Sequence, residues 1–171
     1  ALFMYPKFLG EQYYGLTGYI LSSANVIFPL MAFGVHNTLI KFFSHYKSQK
    51  EKREFLSFVL FIPLIAIIPF FLIGFLAYDF IAAFLSHKNK IVVDYVWQIP
   101  IIGICMGYFE IFYAWLRAHM KSVFGSFVKE VFVRILITLS LFAVYFKWIK
   151  LSEFIHSLVL VYGISLLLII Y

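Results

Sequence analysis

Long stretches without a charged residue constrain this chain more than any other feature of its sequence. No Asp, Glu, Lys or Arg occurs from Gln12 to Ile40, and none occurs from Phe55 to Tyr78. A helix needs about 20 mostly apolar residues to cross the roughly 30 Å of hydrocarbon in a bilayer. Both stretches exceed that length, so the sequence predicts an all-α, polytopic transmembrane helix bundle. The apolar runs do not alternate with polar residues, which argues against a transmembrane β-barrel.

We expect five spans within a single transmembrane domain that covers residues 1–171. They run over about 14–33, 55–76, 92–116, 127–146 and 154–171. Ala1 to Leu9 is interpreted as the tail of an earlier helix, and the segment from Asp79 to Asp94 as an interfacial connection on the outer face. Because the chain starts without Met and ends in an apolar run, we expect it to be a fragment.

Composition excludes several other classes of protein. Hydrophobic residues make up 64% of the chain and charged residues 13%, whereas soluble domains average about 45–50% and about 25%. The net charge of +6 is spread over short runs between apolar stretches, which favours membrane lipid over nucleic acid as a partner. Cys105 is the single cysteine, and no phosphate loop, metal-ligand spacing or catalytic motif occurs. We therefore expect neither an enzyme nor a cofactor.

The distribution of Lys and Arg predicts an orientation in the membrane. Nine of the 14 basic residues fall in two connections, around 41–54 and 117–134, and five lie in the connections expected on the other side. We place the two basic connections in the cytoplasm.

Charges at membrane depth are the candidate functional residues, because burying one in a bilayer costs about 2.5–3.5 kcal/mol on insertion scales. Glu110 either lines a cavity and pairs with a basic group on a neighbouring helix, or is solvated near the headgroups. Arg134 is spaced to pair with Glu130, four residues earlier. It either reaches the interface or binds an anion from a cavity. Arg117 and Lys41 are candidates at the same entrance, with topology determination as their alternative role.

Glycine and proline positions suit a mobile bundle. Gly103 and Gly107 form a GxxxG pattern, a spacing that lets helices approach closely. Pro63, Pro69 and Pro100 could act as bends in an alternating-access transporter.

Two segments resemble a known family. Leu9–Gly10 and Tyr14–Gly15, followed by Gly34 and the basic-aromatic run from Lys41 to Phe43, resemble the region after the first helix of bacterial oligosaccharide and polysaccharide flippases. The later run "YFEIFYAWLRAHMKSVFGSFVKEVFVRILITLSLF" resembles the fourth and fifth helices of that family. These flippases belong to the multidrug/oligosaccharidyl-lipid/polysaccharide exporter superfamily.

The resemblance implies a bundle of about 12–14 helices in two lobes, of which this chain would be helices two to six of the N-terminal lobe. It implies transport of undecaprenyl-diphosphate-linked oligosaccharide across the bacterial inner membrane for surface polysaccharide or O-antigen synthesis. Polysaccharide polymerase machinery would be a further partner. The candidate substrate-binding residues are Arg134, Arg117, Lys41 and Glu110, chosen by depth and charge rather than by a family motif.

Three alternatives remain open at this stage. A drug/cation antiporter of the same superfamily should favour acidic groups in its cavity. An integral membrane enzyme acting on lipid-linked glycans should carry a long outer loop with catalytic polar residues. A membrane scaffold without transport activity is excluded by no residue.

Overall fold

The computed structural model describes residues 4–78 and 90–170, and every regular element in these two ranges is helical. The elements, in chain order, are α1 (Met4–Ala32), α2 (Val35–Phe43), α3 (Gln49–Leu76), a 3-10 helix (Lys90–Tyr95), α4 (Gln98–Ala118), α5 (Ser122–Phe127), a π turn (Val128–Phe132), α6 (Val133–Tyr145) and α7 (Leu151–Ile170).

Four helices are long and apolar enough to cross a membrane. They are the part of α1 over Phe8–Ala32, together with α3, α4 and α7. The all-α prediction is confirmed over the described ranges, and four of the five predicted spans fall on these helices. The fourth predicted span, 127–146, instead covers the π turn and α6, which has 13 residues and is not among the four.

The first predicted span, 14–33, ends where α1 ends, at a turn in which Phe33 and Gly34 both have positive φ, of 50° and 66°; the helix α2 that follows was not predicted. Two other boundaries differ from the sequence expectation. The basic connection before Glu54 is largely helical, because Ser48 and Glu51 form a capping box that starts α3. The third predicted span begins instead with a 3-10 helix, and α4 starts at Gln98, so Pro100 lies in its first turn, where proline is tolerated.

The start of the chain and the outer connection are described in part. Gly10, with φ 70° and ψ 165°, interrupts α1, so the residues from Met4 to Leu9 form a separate short helical segment. This agrees with the expectation of a different helix before the first span, although residues 1–3 lie outside the described ranges. Most of the predicted interfacial connection, 79–89, also lies outside them.

Two hydrophobic clusters hold most of the helices together, and a third joins Phe109 of α4 to Val128 of the π turn and Ile169 of α7. The larger joins α1, α4, α6 and α7, and its fully buried members include Leu16, Ile20, Ile102, Phe154 and Leu158. The smaller joins α2 and α3 to the second half of α4. α4 contributes to both, so it is the central helix of the bundle, while most of the α3 surface is exposed and apolar.

The GxxxG pattern forms a close seam between α1 and α4, as predicted. A Cβ on Gly103 would lie 3.3 Å from Cγ2 of Ile27, and one on Gly107 would lie 3.6 Å from the backbone oxygen of Phe28. The absence of these side chains lets the two helices pack backbone against backbone.

Candidate functional site

A cleft of about 350 Å³ opens between α4, the π turn, α6 and α7. Asn25 of α1 closes one side, and Tyr162 and Ser165 of α7 line another. The charged side chains in its wall are Glu110, Lys129, Glu130 and Arg134. The cleft therefore combines two acids and two bases inside a mostly apolar bundle.

Glu110 pairs with a basic residue on another helical segment. Nζ of Lys129 donates a hydrogen bond to Oε1 of Glu110 at 2.5 Å. The Glu110 side chain is 13% exposed and that of Lys129 is 44% exposed. The sequence left two interpretations of Glu110 open. The geometry corresponds to the first, in which Glu110 lines a cavity and pairs with a neighbouring element. An ion pair with one buried member depends on its partner, because an uncompensated charge there is costly.

Arg134 makes the i,i+4 pair predicted from its spacing. Nη2 of Arg134 donates to Oε2 of Glu130 at 2.9 Å, and the two side chains are 77% and 58% exposed. Pairs between groups that water reaches are worth about 0–1 kcal/mol. Where water fills the cleft, this pair can open at low cost, which leaves the planar guanidinium group able to meet an incoming anion.

The π turn explains why Lys129 and Arg134 line one cleft. The two residues are five positions apart, and in a regular α-helix such positions point about 140° apart. Here the N–H of Val133 donates to the carbonyl of Val128, five residues back, so the turn is wider than an α turn. The wider turn reduces the angle between the two side chains. Single π turns in helices are frequently found at functional sites.

Tyr113 lies between Arg117 and Lys129, so Arg117 is close to the cleft but does not line it. The guanidinium of Arg117 lies 4.9 Å from the centre of the Tyr113 ring, and Nζ of Lys129 lies 5.7 Å from it. The Tyr113 hydroxyl is 2.8 Å from Oγ of Ser126. A Cβ on Gly125 would overlap the Tyr113 ring, so glycine is required there for the ring to pack.

The four residues predicted to bind substrate are therefore only partly brought together. Glu110 and Arg134 line the cleft, and Arg117 is one aromatic ring away from Lys129. Lys41 lies on α2 outside the cleft, with its ammonium 5.5 Å from the Phe42 ring centre.

Sequence reasoning missed Lys129 and Tyr113 as members of this site. A signal for Tyr113 was present, because Glu110, Tyr113 and Arg117 are spaced i, i+3 and i+7 and so share one helix face. The pairing of Lys129 with Glu110 depends on the π turn, and no sequence pattern predicted that turn.

A second cavity of about 430 Å³ lies between α1, α3 and the start of α4. Aromatic and aliphatic side chains line it, among them Phe71, Tyr78, Trp97 and Pro100. Within residues 4–78 and 90–170, no group of three or more His, Cys, Asp or Glu side chains is arranged to hold a metal ion.

Comparison of the chain with models of known protein families, with curated proteins and with solved structures finds no match.

Proposed function

We propose that this chain is part of a membrane transporter that flips undecaprenyl-diphosphate-linked oligosaccharide across the bacterial inner membrane. In this hypothesis its helices cross the bilayer repeatedly and form part of the N-terminal lobe of a 12–14-helix exporter. The protein moves its substrate without a chemical step, for surface polysaccharide or O-antigen synthesis. Polysaccharide polymerase machinery would then receive the translocated product.

The observation that carries this proposal is the exposed guanidinium of Arg134 in a cleft between helices. A diphosphate is strongly anionic and offers paired oxygens that match the guanidinium fork. Because the Glu130–Arg134 pair is weak where water reaches it, a diphosphate can replace Glu130 as the partner of Arg134. Lys129 supplies a second cation in the same wall.

The size of the cleft fits a headgroup rather than a complete substrate. A volume of about 350 Å³ lies near the lower end of the roughly 300–1,000 Å³ found for ligand pockets. The diphosphate would occupy this cleft. The sugars would be accommodated between this lobe and the second lobe of the proposed transporter.

Export of surface polysaccharide tests the proposal. We expect Arg134→Ala in the full-length protein to reduce surface glycan strongly at an unchanged protein level, and Arg134→Lys to have a smaller effect because it keeps the charge but loses the fork. Lys50→Ala is the matched control and should change little, since Lys50 lies on the surface of α3. Normal surface glycan in the Arg134→Ala strain would reject the assigned role.

A cation antiporter is the second candidate, because Glu110 and Glu130 line the same cleft. Two acids against two bases leave the wall neutral when all four are ionised. Glu110→Gln in the full-length protein separates the two functions. Loss of resistance to cationic drugs with normal surface glycan would favour the antiporter, whereas reduced glycan with unchanged drug resistance would favour the flippase.

A further inference from the structure

The short helix α2 holds one end of the bundle at a fixed position. Val35 and Leu39 of α2 are buried against Val59 of α3 and Ile111 of α4. The Phe43 ring packs edge-on against Trp115 and His119 at the other end of the cluster. α2, the first turns of α3, and residues 117–121 thus lie at the same end of the bundle, which we call the basic end.

Basic residues are concentrated at this end. Seven lie there, against the two acids Glu51 and Glu54 within the same described segments: Lys41, Lys47, Lys50, Lys52, Arg53, Arg117 and Lys121. Both acids already have partners, since Glu51 accepts hydrogen bonds from the backbone N–H groups of Lys47 and Ser48, and Glu54 lies 4.0 Å from Lys50. Seven bases against two acids leave the basic end with a net charge of +5 when all of these groups are ionised.

Large apolar side chains are exposed among these cations. Met120 is 91% exposed after α4, and Val123 is 80% exposed at the start of α5. Exposed apolar groups beside Lys and Arg on an amphipathic surface are typical of segments that lie in the headgroup region of a membrane.

We infer that the basic end binds a layer of anionic phospholipid headgroups, with Met120 and Val123 inserted between them. The excess of positive charge favours anionic over zwitterionic lipid as the ligand. The exposed apolar groups favour a membrane surface over a soluble anion. The inference rests on the multi-pass arrangement of the proposed function, but it concerns a surface separate from the cleft. It therefore holds for a flippase and an antiporter alike.

The three tryptophans allow lipid selectivity to be measured at each end of the bundle. Trp115 packs at the basic end, whereas Trp97 precedes α4 and Trp148 follows α6, both at the opposite end. The full-length protein with its other tryptophans replaced by Phe, keeping either Trp115 or Trp148, is reconstituted with lipids brominated near the glycerol end of their acyl chains. Quenching by brominated phosphatidylglycerol and phosphatidylcholine gives the relative affinity at each site.

We expect phosphatidylglycerol to bind beside Trp115 at least about fivefold more tightly than phosphatidylcholine, and a smaller preference beside Trp148, where Lys147 and Lys150 are accompanied by Glu153. Lys41→Gln, Lys52→Gln, Arg53→Gln and Lys121→Gln together should lower the ratio at Trp115 to near one, as should high salt. Lys147→Gln combined with Lys150→Gln is the matched control at the opposite end, and it should leave the ratio at Trp115 unchanged.

Equal quenching by the two lipids at Trp115 in the otherwise unsubstituted protein would overturn the inference, and so would a ratio that the four substitutions leave intact. Helical circular dichroism of each variant shows that the reconstituted protein is folded. If the unsubstituted protein shows no lipid selectivity at Trp115 but exports glycan normally, this inference is rejected and the proposed function is not. Loss of export in Arg134→Ala is independent of it.

Discussion

At the scale of single residues, the pairing of Glu110 with Lys129 is the contact that most distinguishes this bundle from a purely apolar one. The carboxylate is largely removed from solvent, and Lys129 is its only ion-pair partner in the described part of the chain. Charges in such positions are usually found where a cavity or a pathway needs them.

Removing Lys129 alone should destabilise the protein more than removing both charges. We expect Lys129→Met to lower the free energy of unfolding by about 1–3 kcal/mol, because it leaves the Glu110 carboxylate without its partner. Glu110→Gln combined with Lys129→Met should restore much of this loss. Denaturant unfolding in detergent micelles measures the double-mutant cycle, and additive effects of the two single changes would show that the residues are not coupled.

At the scale of elements, the packing of α5 against α4 shows how a contact can require one residue type. Gly125 lies against the Tyr113 ring, whereas a Cβ on Gly163 of α7 would have no atom within 4 Å. Replacing each glycine by alanine therefore separates the effect of packing on stability from the effect of helix propensity.

We expect Gly125→Ala to lower stability by about 1–3 kcal/mol through overpacking, and to displace the Tyr113 hydroxyl from Ser126. Gly163→Ala should be neutral or stabilising, since alanine is favoured over glycine inside a helix by about 1 kcal/mol. Thermal unfolding of the two variants in the same detergent makes the comparison. Equal melting temperatures would contradict the tight packing of Tyr113.

The end of α4, where Met120 has positive φ, allows a second test at this scale. Met120 has φ 61° and its N–H donates to the carbonyl of Arg117, while the N–H of Lys121 donates to that of Leu116. This Schellman arrangement favours glycine at the Met120 position. Because Met120 is almost fully exposed, Met120→Gly should raise stability by about 1 kcal/mol, as seen in a higher melting temperature in detergent. A lower melting temperature would show that the Met120 side chain contributes packing.

The sequence predicted the elements better than it predicted their ends. Uncharged length identified α1, α3, α4 and α7, because burying apolar surface over about 20 residues leaves few other structures available. The end of the first span near Phe33 was predicted, whereas the short helix α2 that follows was not, because the turn between them depends on positive φ angles at Phe33 and Gly34.

The site was predicted in part for a related reason. Depth along the chain identified Glu110 and Arg134, and spacing identified the Glu130 pair. Lys129 and Tyr113 were missed because contacts between helices depend on their relative rotation, which the π turn changes locally. Lys41 was predicted to lie near Glu110 and Arg134 because all three were placed towards the cytoplasmic side of the membrane. Lying on the same side does not bring residues into the same cleft.

At the scale of the whole molecule, orientation in the membrane can be tested with single cysteines. Cys105 is the only cysteine in this chain, so Cys105→Ala, with any cysteine elsewhere in the full-length protein also replaced, gives a clean background. We expect Lys50→Cys and Lys121→Cys in intact cells to resist a membrane-impermeant maleimide, and Lys150→Cys to react with it, because the two basic connections are predicted to be cytoplasmic. Labelling of all three after cell breakage is the control for reactivity. Labelling of Lys50→Cys before breakage would reverse the orientation.

Direct binding of a polyprenyl diphosphate to the purified full-length protein tests the central hypothesis, that the cleft holds an anionic lipid headgroup through Arg134. Titration calorimetry should show binding to the unsubstituted protein that weakens by about 10–100-fold in Arg134→Ala, the loss expected for hydrogen bonds to a charged group, with Lys147→Ala unchanged. A neutral polyprenol of the same length should bind much more weakly than the diphosphate. Equal affinity for polyprenol and polyprenyl diphosphate, or an Arg134→Ala protein that binds the diphosphate normally, would contradict the hypothesis.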